Sequence, residues 1–275
     1  MSSNTPASVH PTAIVSEEAQ IHPSTRIGPY CVIEGAVRIG PANEIRAHSF
    51  ITGHTEIGAQ NRIGPHACIG TEPQSIGDFP DDNGVIVGNG NIIREFSQIH
   101  RATDRQRPTR VGNRNFIMAG GHIAHDCAIG DGCIITNGAF ISGHCSLADG
   151  VNVSSPVGVH QHVRIGRLVF ISAGSGVGMD VPPFMIVEGR NRVRALNIVG
   201  MRRAGIGAAA RSEVKRVFTT LYLSGLPLQR ALAELESQAL GAEAREIVDF
   251  CRAESKRGIM PFEPYRDARP GIPAQ

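Results

Sequence analysis

The stretch IGDGCIITNGAFISGHCSLADGVNV, residues 129–153, carries an aliphatic residue at every sixth position: Ile129, Ile135, Ile141, Leu147 and Val153. The phase continues in both directions. Toward the N-terminus it passes Ile123, Ile117 and Val111, and toward the C-terminus Val159, Ile165, Ile171 and Val177. It recurs at Val87, Ile93 and Ile99 and runs unbroken from Val9 to Ile69. Of the 29 positions spaced by six between Val9 and Val177, Ser75, Asp81 and Arg105 alone are not aliphatic. A helix repeats near 3.6 residues and a half-buried strand at two, so neither explains the pattern. Six fits a short strand plus a corner, with one branched aliphatic per unit pointing to a common axis, and internal repeats outrank local propensity as evidence. Three such sides close a triangular coil of 18 residues, with parallel strands stacked at ~4.8 Å.

Composition agrees with a regular architecture. The 275 residues include 32 glycines, no tryptophan and only 5% aromatics, so the core must be filled by repeated small and branched side chains. A formal charge of +2 lacks the concentrated basic surface of a nucleic-acid binder. The N-terminal MSSNTPASVHP has neither the basic start nor the apolar run of a signal peptide. No segment approaches the ~18 apolar residues of a membrane span. The six cysteines form no C-x-x-C pair, and Cys31, Cys127, Cys133 and Cys145 all stand four residues after a repeat aliphatic, where a small residue is wanted. Reduced, buried thiols in a cytoplasmic protein are expected.

Two polar, proline-bearing segments interrupt the phase: TEPQSIGDFPDDNGVI (71–86) and RATDRQRPTR (101–110). They read as loops thrown out from the coils, and insertions in solenoids map to a binding face. After Val177 the period stops. Apolar spacing then predicts helices over about 208–224, 228–240 and 243–256, followed by an extended, proline-rich tail. The domain expectation is a β-coil over 1–195 and an all-helical unit over 196–275.

Between Val111 and Val177 residues 18 apart share one edge of successive coils. His125 then stacks with Gly143 and Gln161, and Asp126 with His144 and His162. These are third and fourth places of their units, the outward corner, where polar side chains need no burial.

Units such as IGPYCV, IGAQNR and IGDGCI resemble the left-handed parallel β-helix of hexapeptide-repeat acyltransferases, and the left hand comes from that resemblance alone. The strings GGHIAHDCAIG, SGHCS and VHQHV, the DVPPF exit and the Asn-Ile-x-Gly opening of the helical part resemble one family: the UDP-N-acetylglucosamine O-acyltransferases of lipid A synthesis. The resemblance implies a homotrimer that moves a 3-hydroxyacyl chain from acyl carrier protein to the sugar 3-hydroxyl, with sites between neighbouring β-helices and no cofactor or metal. It casts His125 as general base, Asp126 as its orienting acid and Gly143 as backbone donor to the thioester oxyanion. His122, His144, His160 and Gln161 fall at cleft-lining positions, with Gln74, Ser75, Asn197 and Arg203 at the nucleotide-sugar end and Ala173 at the acyl-length position. The chemistry suits these types. A sugar hydroxyl does not ionise near neutrality, so a neutral imidazole must take its proton, and a developing oxyanion wants a fixed donor.

This chain departs from the family pattern at Ser75, Val199 and Ala204, where two acids and a cation are usual. An acceptor other than UDP-N-acetylglucosamine, including N-acylation of an amino sugar, is therefore an alternative. Arg190, Arg192, Arg194, Arg202 and Arg203 form a basic cluster suited to a diphosphate or an acidic carrier protein. Two readings from other classes also stand. One is a zinc hydratase, resembling hexapeptide-repeat carbonic anhydrases, that holds its metal across a subunit interface with His122, His144 and either His100 or His125; the other is a non-catalytic binder.

Overall fold

The computed structural model describes residues 8–80 and 82–264. Most strands are two residues long and end on the repeat aliphatic, as in Phe116–Ile117, His122–Ile123 and Ala128–Ile129. As far as Gly176–Val177 each strand pairs with the third strand before it, and the last turn departs from this by setting Met185–Val187 beside Phe170–Ile171; three sheets of 11, 9 and 8 strands result among the described residues. The first face runs from Ser8–Val9 to Val193–Leu196, the second from Ile14–Val15 to Gly176–Val177, and the third from Gln20–Ile21 to Arg164–Ile165. All pairings are parallel except the last, Met185–Val187 against Val193–Leu196. The register Ile123, Ile141, Val159, Val177 on the second face is the expected 18-residue turn.

The aliphatic column is the core: Ile33, Ile63, Ile93, Ile117, Ile135 and Ile141 have no solvent exposure. Each buries a full side chain, worth ~1.5–3 kcal/mol over exposure. The small residue at the fifth place does more than save space. It donates to a backbone carbonyl of the next coil, through Thr25 Oγ1 to Gly40 O at 2.7 Å, Asn43 Nδ2 to Gly58 O at 2.8 Å and Ser49 Oγ to Gly64 O at 2.9 Å. The four expected cysteines are buried and unpaired, and their thiols make the same bond. Cys31 reaches Arg46 O at 3.0 Å, Cys127 reaches Ser142 O at 3.2 Å, Cys133 reaches Ala148 O at 3.2 Å and Cys145 reaches His160 O at 3.1 Å.

Among the described residues the C-terminal part holds four helices: α1 Ile198–Arg203, α2 Ala208–Tyr222, α3 Leu228–Glu236 and α4 Ala242–Arg252. The three longer ones end two to four residues before the expected positions. Helix α2 stops ahead of Gly225, which takes a positive φ of 75°, and α4 stops because Ala253 is extended. Val214, Val217, Phe218 and Leu221 on α2 are buried at helical spacing with Leu232 and Leu235 of α3 and Ile247 and Val248 of α4. The bundle is tied to the coil by Arg167, whose Nη2 lies 2.7 Å from Glu246 Oε2, and by Arg164 stacked 4.5 Å from the Phe250 ring.

The described part of the tail is extended as expected, and it returns to the coil: Ile259 bridges Asp180 and Phe262 bridges Val193. The remainder of the tail lies outside the described residues. This return corrects the reading of the basic cluster. Arg192 pairs with Glu263 at 2.8 Å, and Arg194 donates to the carbonyls of Glu263 and Pro264, each at 2.9 Å. Two of the five arginines therefore fasten the tail, while Arg190, Arg202 and Arg203 stay exposed.

Candidate active site

Second-face strand His122–Ile123 delivers Ile123 to the core and turns the next residues around a corner. Asp126 makes the turn with φ of 60°, and His144 and His162 repeat it at 61° and 64° one and two coils on. Their side chains stack as the 18-residue register requires. The His144 and His162 rings are parallel within 7° at 4.5 Å, and His144 Nδ1 lies 3.5 Å from Asp126 Oδ2. His125 stacks on Gly143 so closely that a Cβ there would fall 2.5 Å from His125 Cε1. Only glycine leaves room for the ring.

The expectation of an unburied corner does not hold for His125 and Asp126. His125 is 8% exposed and the Asp126 side chain 6%. The cover is the second inserted loop, 101–110. Thr103 donates its N–H to Asp126 Oδ1 at 2.9 Å and its hydroxyl to Oδ2 at 2.7 Å, while Thr109 Oγ1 accepts the Asp126 N–H at 2.8 Å. Asp126 Oδ2 also accepts from His125 Nδ1 at 2.7 Å. With Nδ1 as the donor, Nε2 is left as a bare acceptor. Burial pushes the Asp126 carboxyl up, but the hydrogen bonds from His125 and Thr103 together outweigh it and hold the group below the ordinary carboxylate range. The acid stays charged beside the imidazole. Gly143 N–H has no acceptor among the described residues. Beyond Asp126 a polar cavity of about 530 Å³ opens, lined also by His144, His162, Arg107 and Lys256.

His122 stands on the outer side of the second face, 3.2 Å from Gln98 Oε1 through Nδ1, with its ring 5.0 Å from that of His100 and 5.8 Å from that of Phe140. Burial, reinforced by repulsion from His100 and His125, pushes it down to about 4, so it is neutral at physiological pH. His160 and Gln161 are exposed two coils further on. Arg257, from the segment after α4, contacts the His160 ring and donates to Gln161 O at 2.8 Å.

The remaining candidates are not gathered at this corner within the chain. Gln74 and Ser75 are exposed on the first inserted loop, which reaches the site through His100, whose Nδ1 bonds Glu72 O at 2.7 Å. Ala173 is exposed on a different corner, after the first face. Asn197 caps α1: its Oδ1 accepts from Gly200 N at 2.8 Å and its Nδ2 donates to Leu168 O at 2.8 Å. Arg203 is exposed in the last turn of that helix.

Within one chain the zinc ligands expected from sequence are not brought together as a set. The donors that do come within 4.8 Å of one another are His125, Asp126 and His144, without His122 or His100. Asp126 is already engaged by His125 and twice by Thr103, so this trio does not fit a closed tetrahedral site. Sequence reasoning missed Thr103, Thr109 and Arg257. The first two lie in a segment that breaks the period, where register carries no information, and the third is remote in sequence.

The family model described as "Udp N-acetylglucosamine O-acyltransferase; Domain 2" matches residues 180–260, and the bacterial hexapeptide transferase repeat matches 18–53 and 108–143. The acyl-[acyl-carrier-protein]–UDP-N-acetylglucosamine O-acyltransferase of Anaeromyxobacter sp. (strain K) is 41% identical over 254 residues, covering 91% of this chain and 98% of that relative. The chain belongs to this family. The enzyme of the same name from Verminephrobacter eiseniae is 42% identical over 260 residues, 92% of this chain and 99% of its own length. Among solved structures, the Francisella novicida UDP-N-acetylglucosamine acyltransferase superposes with a TM-score of 0.86 at 36% identity over 92% of this chain and 94% of that one. The architecture of these O-acyltransferases, a left-handed parallel β-helix with a small helical C-terminal part, is the architecture of this chain.

Proposed function

We propose that this protein transfers a 3-hydroxyacyl group from the thioester of acyl carrier protein to the 3-hydroxyl of UDP-N-acetylglucosamine, the first step of lipid A biosynthesis. The observation that carries the reading is the buried His125–Asp126 pair, 2.7 Å from Nδ1 to Oδ2, set against a glycine whose N–H is unengaged among the described residues. His125 Nε2 takes the proton of the sugar hydroxyl as the oxygen attacks the thioester carbon. The oxyanion is met by Gly143 N–H, and Asp126 stabilises the imidazolium. Collapse breaks the C–S bond, and the proton passes from His125 to the departing sulfur. No step calls for a metal or cofactor.

His122, His144, His160 and Gln161 line the path of the two substrates in this reading. Gln74, Ser75, Asn197 and Arg203 belong to the nucleotide-sugar end, and Ala173 to the acyl end. Those groups lie away from the His125 corner within one chain, which supports a homotrimer whose neighbours complete each cleft. The outer side of the second face supports the same assembly. It carries Ile14 at 65% exposure and Phe140 at 56%, with Phe140 beside His122. No described helix is long and apolar enough to cross a membrane, and both substrates are water-soluble, so a cytoplasmic site of action fits.

The test is mass-spectrometric turnover by wild type and His125→Ala with acyl carrier proteins of several 3-hydroxyacyl lengths. UDP-N-acetylglucosamine and its 3-amino analogue are offered as acceptors. O-acylated product from wild type, lowered on the order of 1000-fold in the variant, is expected. Product from the 3-amino sugar alone moves the assignment to N-acylation and implicates Ser75. Equal turnover by the two proteins removes His125 from the chemistry.

A further inference from the structure

Asp126 Oδ2 faces two histidines. His125 Nδ1 lies at 2.7 Å and His144 Nδ1 at 3.5 Å, and both rings can donate. A carboxylate free to turn about its Cβ–Cγ bond would divide itself between them. Loop 101–110 removes that freedom. The Thr103 N–H holds Oδ1 at 2.9 Å and the Thr103 hydroxyl holds Oδ2 at 2.7 Å, so one residue grips both oxygens and fixes the carboxylate plane. Thr109, near the other end of the loop, fixes the Asp126 backbone through its N–H. The loop is itself anchored, since Arg105 Nη2 lies 2.7 Å from Asp82 Oδ2 of the first inserted loop.

We propose that Thr103 is a positioning residue: it clamps the Asp126 carboxylate in the orientation that engages His125 rather than His144, and thereby fixes the His125 tautomer with Nε2 as the acceptor. The inference rests on the reading of His125 as the base. Thr103 touches neither substrate in this role. It acts through Asp126, and a hydrogen bond to a buried carboxylate has enough strength to choose between two orientations.

The test uses the full-length chain as wild type, Thr103→Val, Thr103→Ser and His125→Ala. Thr103→Val keeps shape and the backbone N–H but deletes the hydroxyl, whereas Thr103→Ser keeps it. Steady-state turnover with acyl carrier protein thioester and UDP-N-acetylglucosamine is expected to show kcat lowered about tenfold in Thr103→Val. KM for both substrates stays within about twofold, and Thr103→Ser recovers kcat to within about threefold of wild type. Ring 15N shifts in histidine-labelled resting enzyme give a second readout that needs no substrate. His125 is a single Nδ1–H tautomer in wild type and Thr103→Ser, and a mixture in Thr103→Val. The proposal is overturned if Thr103→Val turns over as wild type, if Thr103→Ser fails to recover its loss, or if His125 keeps one tautomer in Thr103→Val. Failure of the underlying reading looks different, because there His125→Ala would turn over like wild type whatever Thr103 does to the tautomer.

Discussion

Two corners of the coil are built by the same backbone device. After the first face, Tyr30, His48, His66 and Phe96 occupy fourth places with φ between 56° and 59°, and their rings stack at 5.1, 4.8 and 5.0 Å. After the second face, Asp126, His144 and His162 occupy the same place with φ between 60° and 64°, and again the side chains stack coil on coil. The first column is exposed along its length, and its histidines make no side-chain hydrogen bond among the described residues. The second begins with an acid and is covered at that end by an inserted loop that brings two threonine hydroxyls. Stacking therefore follows from the repeat alone, since parallel coils place like positions ~4.8 Å apart. Chemistry requires more: exclusion of water, a fixed charge and a neighbour that sets a tautomer.

Loss of the charge from the second column carries the largest expected effect. Asp126→Asn leaves the stack in place but removes the anion that holds His125 Nδ1–H, and kcat is expected to fall on the order of 100-fold. Turnover within threefold of wild type would reduce that column to the status of the first. Gly143→Ala tests the close approach. Its methyl meets the His125 ring, so a loss of roughly tenfold in kcat is expected together with about 1–3 kcal/mol of stability, read by denaturant unfolding at matched protein concentration.

A smaller effect separates the half-buried His122 from the exposed histidines. Folded His122 is pushed down to about 4 from an ordinary 6.5, so between those values the unfolded chain holds the proton and the folded chain does not. Its contribution to stability is complete above pH 6.5, declines as the pH falls toward 4 and levels off below. His122→Gln should flatten the stability profile inside this window, and an unchanged slope would refute the burial argument. The least effect is expected of His48→Ala. Its ring lies between two others in the exposed ladder, so kcat should stay within about twofold and stability within ~1 kcal/mol of wild type. A loss of turnover comparable to that of Asp126→Asn would show that the ladder takes part in the chemistry.

Much of the fold was legible because the coil is nearly one-dimensional. A residue's neighbours in space are fixed by adding 18 to its number, so His125 over Gly143 and Asp126 against His144 could be written down from the sequence. Such arithmetic fails wherever chain is inserted or the period ends. Thr103 reaches Asp126 across 23 residues and Arg257 reaches Gln161 across 96, and no repeat connects either pair. Arg194 read as part of a basic cluster for a diphosphate or an acidic carrier protein for the same reason, while in the folded chain it holds the carbonyls of Glu263 and Pro264.

The triangular coil, its 18-residue register, the aliphatic axis and the pairing of histidine with aspartate at one corner are readable from residue order alone. These follow from a period and from residue types, which act locally and repeat. The tertiary structure decided that this corner is buried, that Asp126 is charged and gripped from both oxygens, and that Asn197 spends its amide on capping a helix. Each of those depends on which distant segment folds over the coil, and the desolvation of a corner is a property of that cover rather than of the corner.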